Sequence, residues 1–105
     1  MASGVTQSGT ITASGVAVTA GTVPNVASST AVKQALTYFG YSFRATAAAV
    51  VRIRQKDATG PILSDLAIPI NDMREKWYGP QGRQCKDDIY VEVVSGTVEG
   101  VVFYG

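Results

Sequence analysis

The distribution of charge divides this chain into two parts. Residues 1–32 contain no Lys, Arg, Asp, Glu or His, and 27 of them are Gly, Ser, Thr, Ala or Val. All 17 charged residues lie in residues 33–105. We therefore expect an uncharged N-terminal arm, residues 1–32, and a charged body, residues 33–105. Since so small a body buries a low fraction of its surface, the arm or a partner chain is expected to complete its core.

The composition of the arm favours extended structure. The tetrapeptide at residues 2–5 (ASGV) recurs at residues 13–16, and Val, Ile and Thr recur around both copies. These residue types suit strands, and Gly disfavours helix. Such segments can pair with each other or add to the edge of another sheet; the alternative is a disordered tail. If the arm binds a partner, we expect the contacts to be its apolar side chains: Val5, Ile11, Val16, Val18, Val23 and Val26.

The body reads as a series of short strands separated by turns. Residues 36–45 are rich in aromatic side chains, and Gly40 among them indicates a bulge or a close backbone approach. Residues 50–55 alternate apolar and basic side chains and lead into a turn containing Asp, Gly and Pro. Residues 62–68 predict a further strand, residues 73–78 a weaker one, and residues 79–88 a loop.

The end of the chain has the pattern of a β-hairpin. Residues 89–94 and 98–104 are strand-like, and the short segment Ser95-Gly96-Thr97 between them predicts the turn. No long stretch of the chain shows a 3.6-residue hydrophobic period. We therefore predict an all-β protein, an antiparallel β-sandwich or jelly-roll-like domain with an extended N-terminal arm.

The residue types give little support to catalysis or metal binding. Without histidine no Ser-His-Asp triad is possible, and the usual general base and commonest metal ligand are absent. Asp87-Asp88 lacks the ligand spacing of a calcium loop, and Cys85 is interpreted as an incidental thiol. We expect no enzyme activity, no cofactor and no metal. The net charge of +1 gives no electrostatic reason to expect nucleic acid or a membrane as partner.

Two groups in the body are candidates for partner binding. Arg52 and Arg54, with Lys56, form a basic stripe on one strand face; it is either a solvated face, which we favour, or a dock for an acidic protein surface. Trp77 and Tyr78 precede a Gly/Pro-containing loop. A lone Trp is more often core than surface, but aromatic side chains beside such a loop also anchor interfaces.

Residues 36–105 resemble a family of small β-sandwich proteins encoded among the structural genes of tailed bacteriophages. The matching features are turn and strand signals, in order along the chain: the aromatic strand 36–45, the strand 50–55, Asp57 with Gly60-Pro61, the glycine loop 79–82, the strand 89–93, Ser95-Gly96-Thr97 and the last strand 98–104. The resemblance implies a capsid decoration (cement) protein on the outer surface of the virion, made in the host bacterial cytoplasm. Its implied partners are the major capsid protein and further copies of itself, with a trimer as one option.

Two other functions remain open at this point. One is a different virion part, such as a tail, baseplate or head-fibre subunit. The other belongs to a different class: a small carbohydrate-binding module that uses Trp77, Tyr78 and Tyr41 as a stacking platform. The carbohydrate-binding function requires an exposed Trp77.

Overall fold

A computed structural model of the chain describes residues 5–23, 32–33 and 35–105 and shows an all-β protein. Among these residues there is no helix, and therefore none long and apolar enough to cross a membrane. A seven-stranded antiparallel sheet forms the molecule, and a separate two-stranded pair lies outside it. The strands are β1 Thr6–Gln7, β2 Gly15–Val18, β3 Thr22–Val23, β4 Val32–Lys33, β5 Leu36–Gln55, β6 Ile62–Ile68, β7 Met73–Trp77, β8 Arg83–Cys85 and β9 Ile89–Tyr104.

The centre of the sheet is a long antiparallel ribbon made of β5 and β9. Its register runs from Tyr38 opposite Tyr104 to Gln55 opposite Ile89. The register shifts three times between Ala45 and Val51: β5 carries the extra residue at the first two shifts and β9 at the third. Bulges of this kind bend a strand and increase its twist. The ribbon thus folds over in the middle, and the sheet becomes two layers of a sandwich, which confirms the predicted fold class.

Each half of the ribbon pairs with a different set of outer strands. The N-terminal half of β5 pairs with β7 and β8, and the facing half of β9 pairs with β1. The other half of β5 pairs with β6, and the facing half of β9 pairs with β2. Alternate side chains of both layers point inward and form one core. Its largest fully buried members are Tyr38, Phe43, Ile53, Ile68, Ile89, Val51, Val91, Val102 and Cys85.

The arm is part of this fold, because its residues 6–18 run along the outer side of β9. Ile11 exchanges two backbone hydrogen bonds with Gly100, of 2.7 and 3.1 Å. Farther along, the Ala20 N–H donates to Asp88 Oδ1 at 2.8 Å. Ile11, Val18 and Ala20 are buried in the core. The arm therefore completes the core of its own chain, and arm and body share one sheet.

The predicted C-terminal hairpin is wrong: β9 is a single strand from Ile89 to Tyr104. Both of its halves pair with β5, so Ser95-Gly96-Thr97 is the bend of the ribbon and reverses no strand. Gly96 adopts a φ of +82°, and a Cβ at this position would overlap the carbonyl oxygen of Ala48. A glycine within a strand pattern marks a tight bend or a close backbone approach as readily as a hairpin turn.

The other strand predictions were mostly confirmed. Residues 36–45 and 50–55 belong to one strand, β5, because the small residues between them continue the pairing. The strand 62–68 and the turn before it are present, and β7 covers all but the last residue of the segment predicted weakly. The loop 79–88 contains an additional short strand, β8. At Gly40 the register shifts and the backbone of Lys76 lies against the glycine, as predicted.

Candidate interaction surfaces

The first candidate surface is the arm edge, formed by β1, β2 and the residues between them. Two serine side chains add hydrogen bonds to the backbone pairing between the arm and β9. The Val102 N–H donates to Ser8 Oγ at 3.0 Å, and the Val93 N–H donates to Ser14 Oγ at 2.8 Å. Hydroxyls can replace carbonyl acceptors in this way, since they are short and stay close to the backbone. These bonds hold the arm against both halves of β9.

Of the six predicted arm contacts, two are exposed in the structure, two are buried, and two have side chains outside the described residues. Val5 and Val16 are 41% and 50% exposed and lie on the surface. Ile11 and Val18 are buried in the core of their own chain, so in this structure they are not available to a partner; their apolar character serves folding. Val26 and the side chain of Val23 lie outside the described residues.

The arm edge differs in charge from the other side of the sheet. β1, β2 and the residues between them contain no charged side chain. On the opposite side the outer strand of one layer is β7, whose sequence is MREKW, and that of the other layer is β6, which contains Asp65. Proteins commonly protect sheet edges from strand addition with charged side chains. The edge at β7 has that protection, and the arm edge lacks it.

The two arginines of the basic stripe lie beside carboxylates of their own chain. Arg54 Nε donates to Glu92 Oε1 at 3.0 Å, and its Nη1 donates to the Gly60 carbonyl at 2.8 Å. Arg52 Nε lies 3.6 Å from Asp65 Oδ2 on the neighbouring strand. These cross-strand pairs favour the interpretation as a solvated face over a dock for an acidic surface.

The second candidate surface, the Trp77 face, lies on the outside of the layer that contains β1 and β7. Trp77 is 52% exposed, and its ring stacks on Phe39 with centroids 5.3 Å apart and planes 16° apart. Gly40 is directly opposite Trp77 on one side and Phe103 on the other. The backbone of Gly40 therefore lies between two aromatic side chains. The resulting groove is lined by Tyr41, Glu75, Lys76, Trp77 and Phe103.

Tyr78 does not belong to the Trp77 face, because its hydroxyl is used between the layers. It shares a 2.6 Å hydrogen bond with Ser64 Oγ, which also bonds the buried Tyr38 hydroxyl at 3.0 Å. The Arg83 guanidinium lies 4.4 Å from the Tyr78 ring centroid, within cation–π range. Tyr78 therefore closes the side of the sandwich, and its contacts are those of a structural residue.

The environment of Cys85 opposes thiolate formation. The thiol is buried and donates to the Asp87 carbonyl at 3.1 Å. Burial raises the pKa of the Cys85 thiol above its ordinary value, since desolvation disfavours the charged form. Within the described part of the chain, no group of three or more His, Cys, Asp or Glu residues is placed to hold a metal ion.

Sequence reasoning singled out Trp77 but missed the two aromatic residues beside it. Both are distant from Trp77 in the sequence: Phe39 stacks on it, and the register of β5 with β7 and β9 places Phe103 across Gly40 from it, in the same groove. The sequence signal that could have located them is Gly40, because a glycine within a strand indicates a close backbone approach. Comparisons with protein-family models, curated proteins and solved structures found no match to the chain.

Proposed function

We propose that this protein is a structural component of a tailed-bacteriophage virion, a decoration protein that binds the major capsid protein lattice from outside. The observation that carries the proposal is the arm edge. It is a sheet edge without charge, whereas the outer strands on the opposite side both carry charged residues, three in β7 and one, Asp65, in β6. The resemblance of residues 36–105 to small phage structural proteins supports the same function.

The arm edge suits attachment by strand addition. Apart from Gln7 its residues are small or β-branched, so the backbone of a neighbouring strand can approach closely. In strand addition, main-chain hydrogen bonds give affinity and alternate side chains give specificity. Val16 in β2 and Val5 beside β1 are the exposed apolar side chains that would contact the added strand. A neighbouring copy bound in the same way would produce the oligomer expected of a lattice protein.

A substitution in β2 tests this proposal. Val16→Lys places a charge on the arm edge, and Ile62→Lys is its matched control, because Ile62 is β-branched, lies in β6 and is 48% exposed against 50% for Val16. Both variants and the unmodified chain are mixed with phage shells assembled without the protein, and co-sedimentation is measured. We expect Val16→Lys to bind roughly tenfold more weakly or worse, as for loss of an interface anchor. Ile62→Lys should bind like the unmodified chain.

Three results would contradict the proposal. One is no co-sedimentation of the unmodified chain. Another is equal binding by Val16→Lys and the unmodified chain when both melt at the same temperature. The third is assembly of the purified protein into rings or tubes without a shell, which would indicate a tail or baseplate part.

A further inference from the structure

The Trp77 face has the features of a ligand site, and this is independent of the proposed role of the arm edge. We propose that Trp77, Phe103 and Glu75 form a carbohydrate-binding site in which a pyranose ring of an oligosaccharide stacks on the exposed face of Trp77. The site differs from the platform expected from the sequence, because Tyr78 closes the sandwich and Tyr41 packs at 6.3 Å from the buried Phe43.

The groove has a geometry that admits a flat ring. Trp77 and Phe103 lie on the two strands that flank Gly40, on the same face of the sheet. Since neighbouring strands are about 4.8 Å apart, the backbones that carry the two rings are about 10 Å apart. Gly40 contributes no side chain to the space between them. The groove is shallow and open to solvent, with a volume of about 240 Å³.

The Trp77 ring is held in place before any ligand binds. Phe39 is 7% exposed and stacks under one face of the indole, so the exposed area of Trp77 belongs largely to its other face. A large aromatic side chain that is fixed in the free protein loses little conformational entropy on binding. A ring supported in this way is preorganised as a platform.

The chemistry of the groove fits a sugar. The face of an aromatic ring carries partial negative charge, and the face of a pyranose presents C–H groups that carry partial positive charge. The hydroxyls at the edge of the sugar need acceptors once they leave water. Glu75 lies two residues before Trp77 on the same face of β7, and its carboxylate is an acceptor for such hydroxyls.

The same features disfavour an extended peptide as the occupant. A strand added to β7 would lie beside Arg74, Glu75 and Lys76, three consecutive charged residues. Trp77 and Glu75 lie at the far edge of this layer from β1, since the order of strands across it is β1, β9, β5, β7, whereas Phe103 lies on β9, opposite Gln7 of β1. In a molecule attached through its arm edge, Trp77 and Glu75 therefore lie away from the added strand.

Fluorescence tests the site directly, because Trp77 is the one tryptophan of the chain. The full-length protein is titrated with cellohexaose, maltohexaose, N-acetylchitohexaose and a mannohexaose, each to about 10 mM, a concentration that detects even weak binding. We expect a saturable change in tryptophan emission with at least one of them. Binding to the same oligosaccharide is then measured by calorimetry for the variants, since some of them lack the fluorophore.

The variants separate ligand contact from stability. Trp77→Ala and Trp77→Leu should each weaken binding about tenfold or more, and Trp77→Leu keeps an apolar cover over Phe39. Glu75→Gln should weaken binding by a smaller factor. Met73→Ala is the control, because Met73 is on the same face of β7 and is 48% exposed; its affinity should equal that of the unmodified chain.

Two results would overturn the carbohydrate site. The first is the absence of saturable binding to all four oligosaccharides. The second is binding that persists unchanged in a folded Trp77→Leu variant. If Trp77→Leu also abolishes co-sedimentation with shells while no oligosaccharide binds, the Trp77 face is a protein contact and the carbohydrate site is wrong.

Discussion

Single residues decide where this sheet bends, and Gly96 is the clearest case. Its φ of +82° is a conformation that glycine adopts without cost, whereas an L side chain there is strained. A Cβ would also overlap the backbone of Ala48 on the paired strand. The bend of the β5–β9 ribbon therefore depends on this residue having no side chain.

We predict that Gly96→Ala lowers the free energy of unfolding by about 2–4 kcal/mol, from backbone strain together with overpacking. Gly9→Ala is the control, since a Cβ at Gly9 would have no neighbour within 4 Å. Its stability should be unchanged or slightly increased. Urea denaturation of both variants measures the difference. Equal stabilities would show that the strand does not bend at Gly96.

The buried hydroxyl of Tyr38 gives the protein a pH dependence at alkaline pH. Burial raises the pKa of Tyr38 far above its ordinary value, while the hydrogen bond from Ser64 acts in the opposite direction. Above a pH of about 10 the unfolded chain releases this proton and the folded chain retains it. The contribution of Tyr38 to stability is therefore complete below pH 10 and is lost progressively as the pH rises above it.

Replacing this hydroxyl should remove its share of the alkaline destabilisation. For one group the slope is about 1.4 kcal/mol per pH unit between the unfolded and folded pKa values. We predict that the free energy of unfolding falls less steeply between about pH 10 and 11 in Tyr38→Phe than in the unmodified chain. Ser64 keeps its bond to Tyr78 in this variant. Parallel slopes for the two proteins would contradict the prediction.

At the scale of elements, β9 shows what sequence patterns could and could not predict. Alternation placed Ile89, Val91 and Val93 on one face, and Ile89 and Val91 are fully buried. The strand 62–68 and the turn before it were equally readable, since Asp57, Gly60 and Pro61 each favour a turn. The bend at Ser95-Gly96-Thr97 was misread, because a hairpin turn and a bend within one strand use the same residues. The two possibilities are distinguished by the pairing of both halves of β9 with β5. Such long-range pairing cannot be read from the local sequence.

Inserting residues distinguishes a continuous strand from a hairpin. We predict that Gly-Ser-Gly inserted between Ser95 and Gly96 abolishes cooperative folding, because an odd shift in register turns the inward side chains of half the strand outward. The same insertion between Ala58 and Thr59, in the exposed turn before β6, should cost only about 1–2 kcal/mol. Thermal melts followed by circular dichroism measure both. Equal stability of the two insertion variants would contradict a continuous β9 and support a hairpin turn at Ser95-Gly96-Thr97.

The sequence predicted that the arm is extended, but it did not predict that the arm joins the sheet formed by the body of the same chain. Its Val, Ile and Thr content indicated strands, and the small body indicated that something had to complete the core. Which sheet the arm joins depends on Ser8, Ser14 and Ile11 meeting the outer side of β9, and the sequence pattern contains no signal for that pairing. The positions of Val5 and Val16 on the surface follow from the register.

At the scale of the whole molecule, the uncharged strand β1 and the strand β7 that carries Trp77 lie at opposite edges of one layer. The uncharged arm edge is suited to a neighbouring strand, and the aromatic Trp77 face is suited to a sugar ring. In the other layer, Arg52 and Arg54 each lie beside a carboxylate of a neighbouring strand. This arrangement suits a protein that is held on a shell at one side and exposed to its surroundings at the other.

Cryo-electron microscopy of phage shells assembled without the protein and then mixed with it tests this arrangement most directly. We predict ordered density at fixed lattice positions, oriented with β1 and β2 against the shell and Trp77 directed away from it. Bare shells would contradict the decoration function. Ordered density in which the Trp77 face contacts the shell and the arm edge points outward would contradict the assignment of the two surfaces.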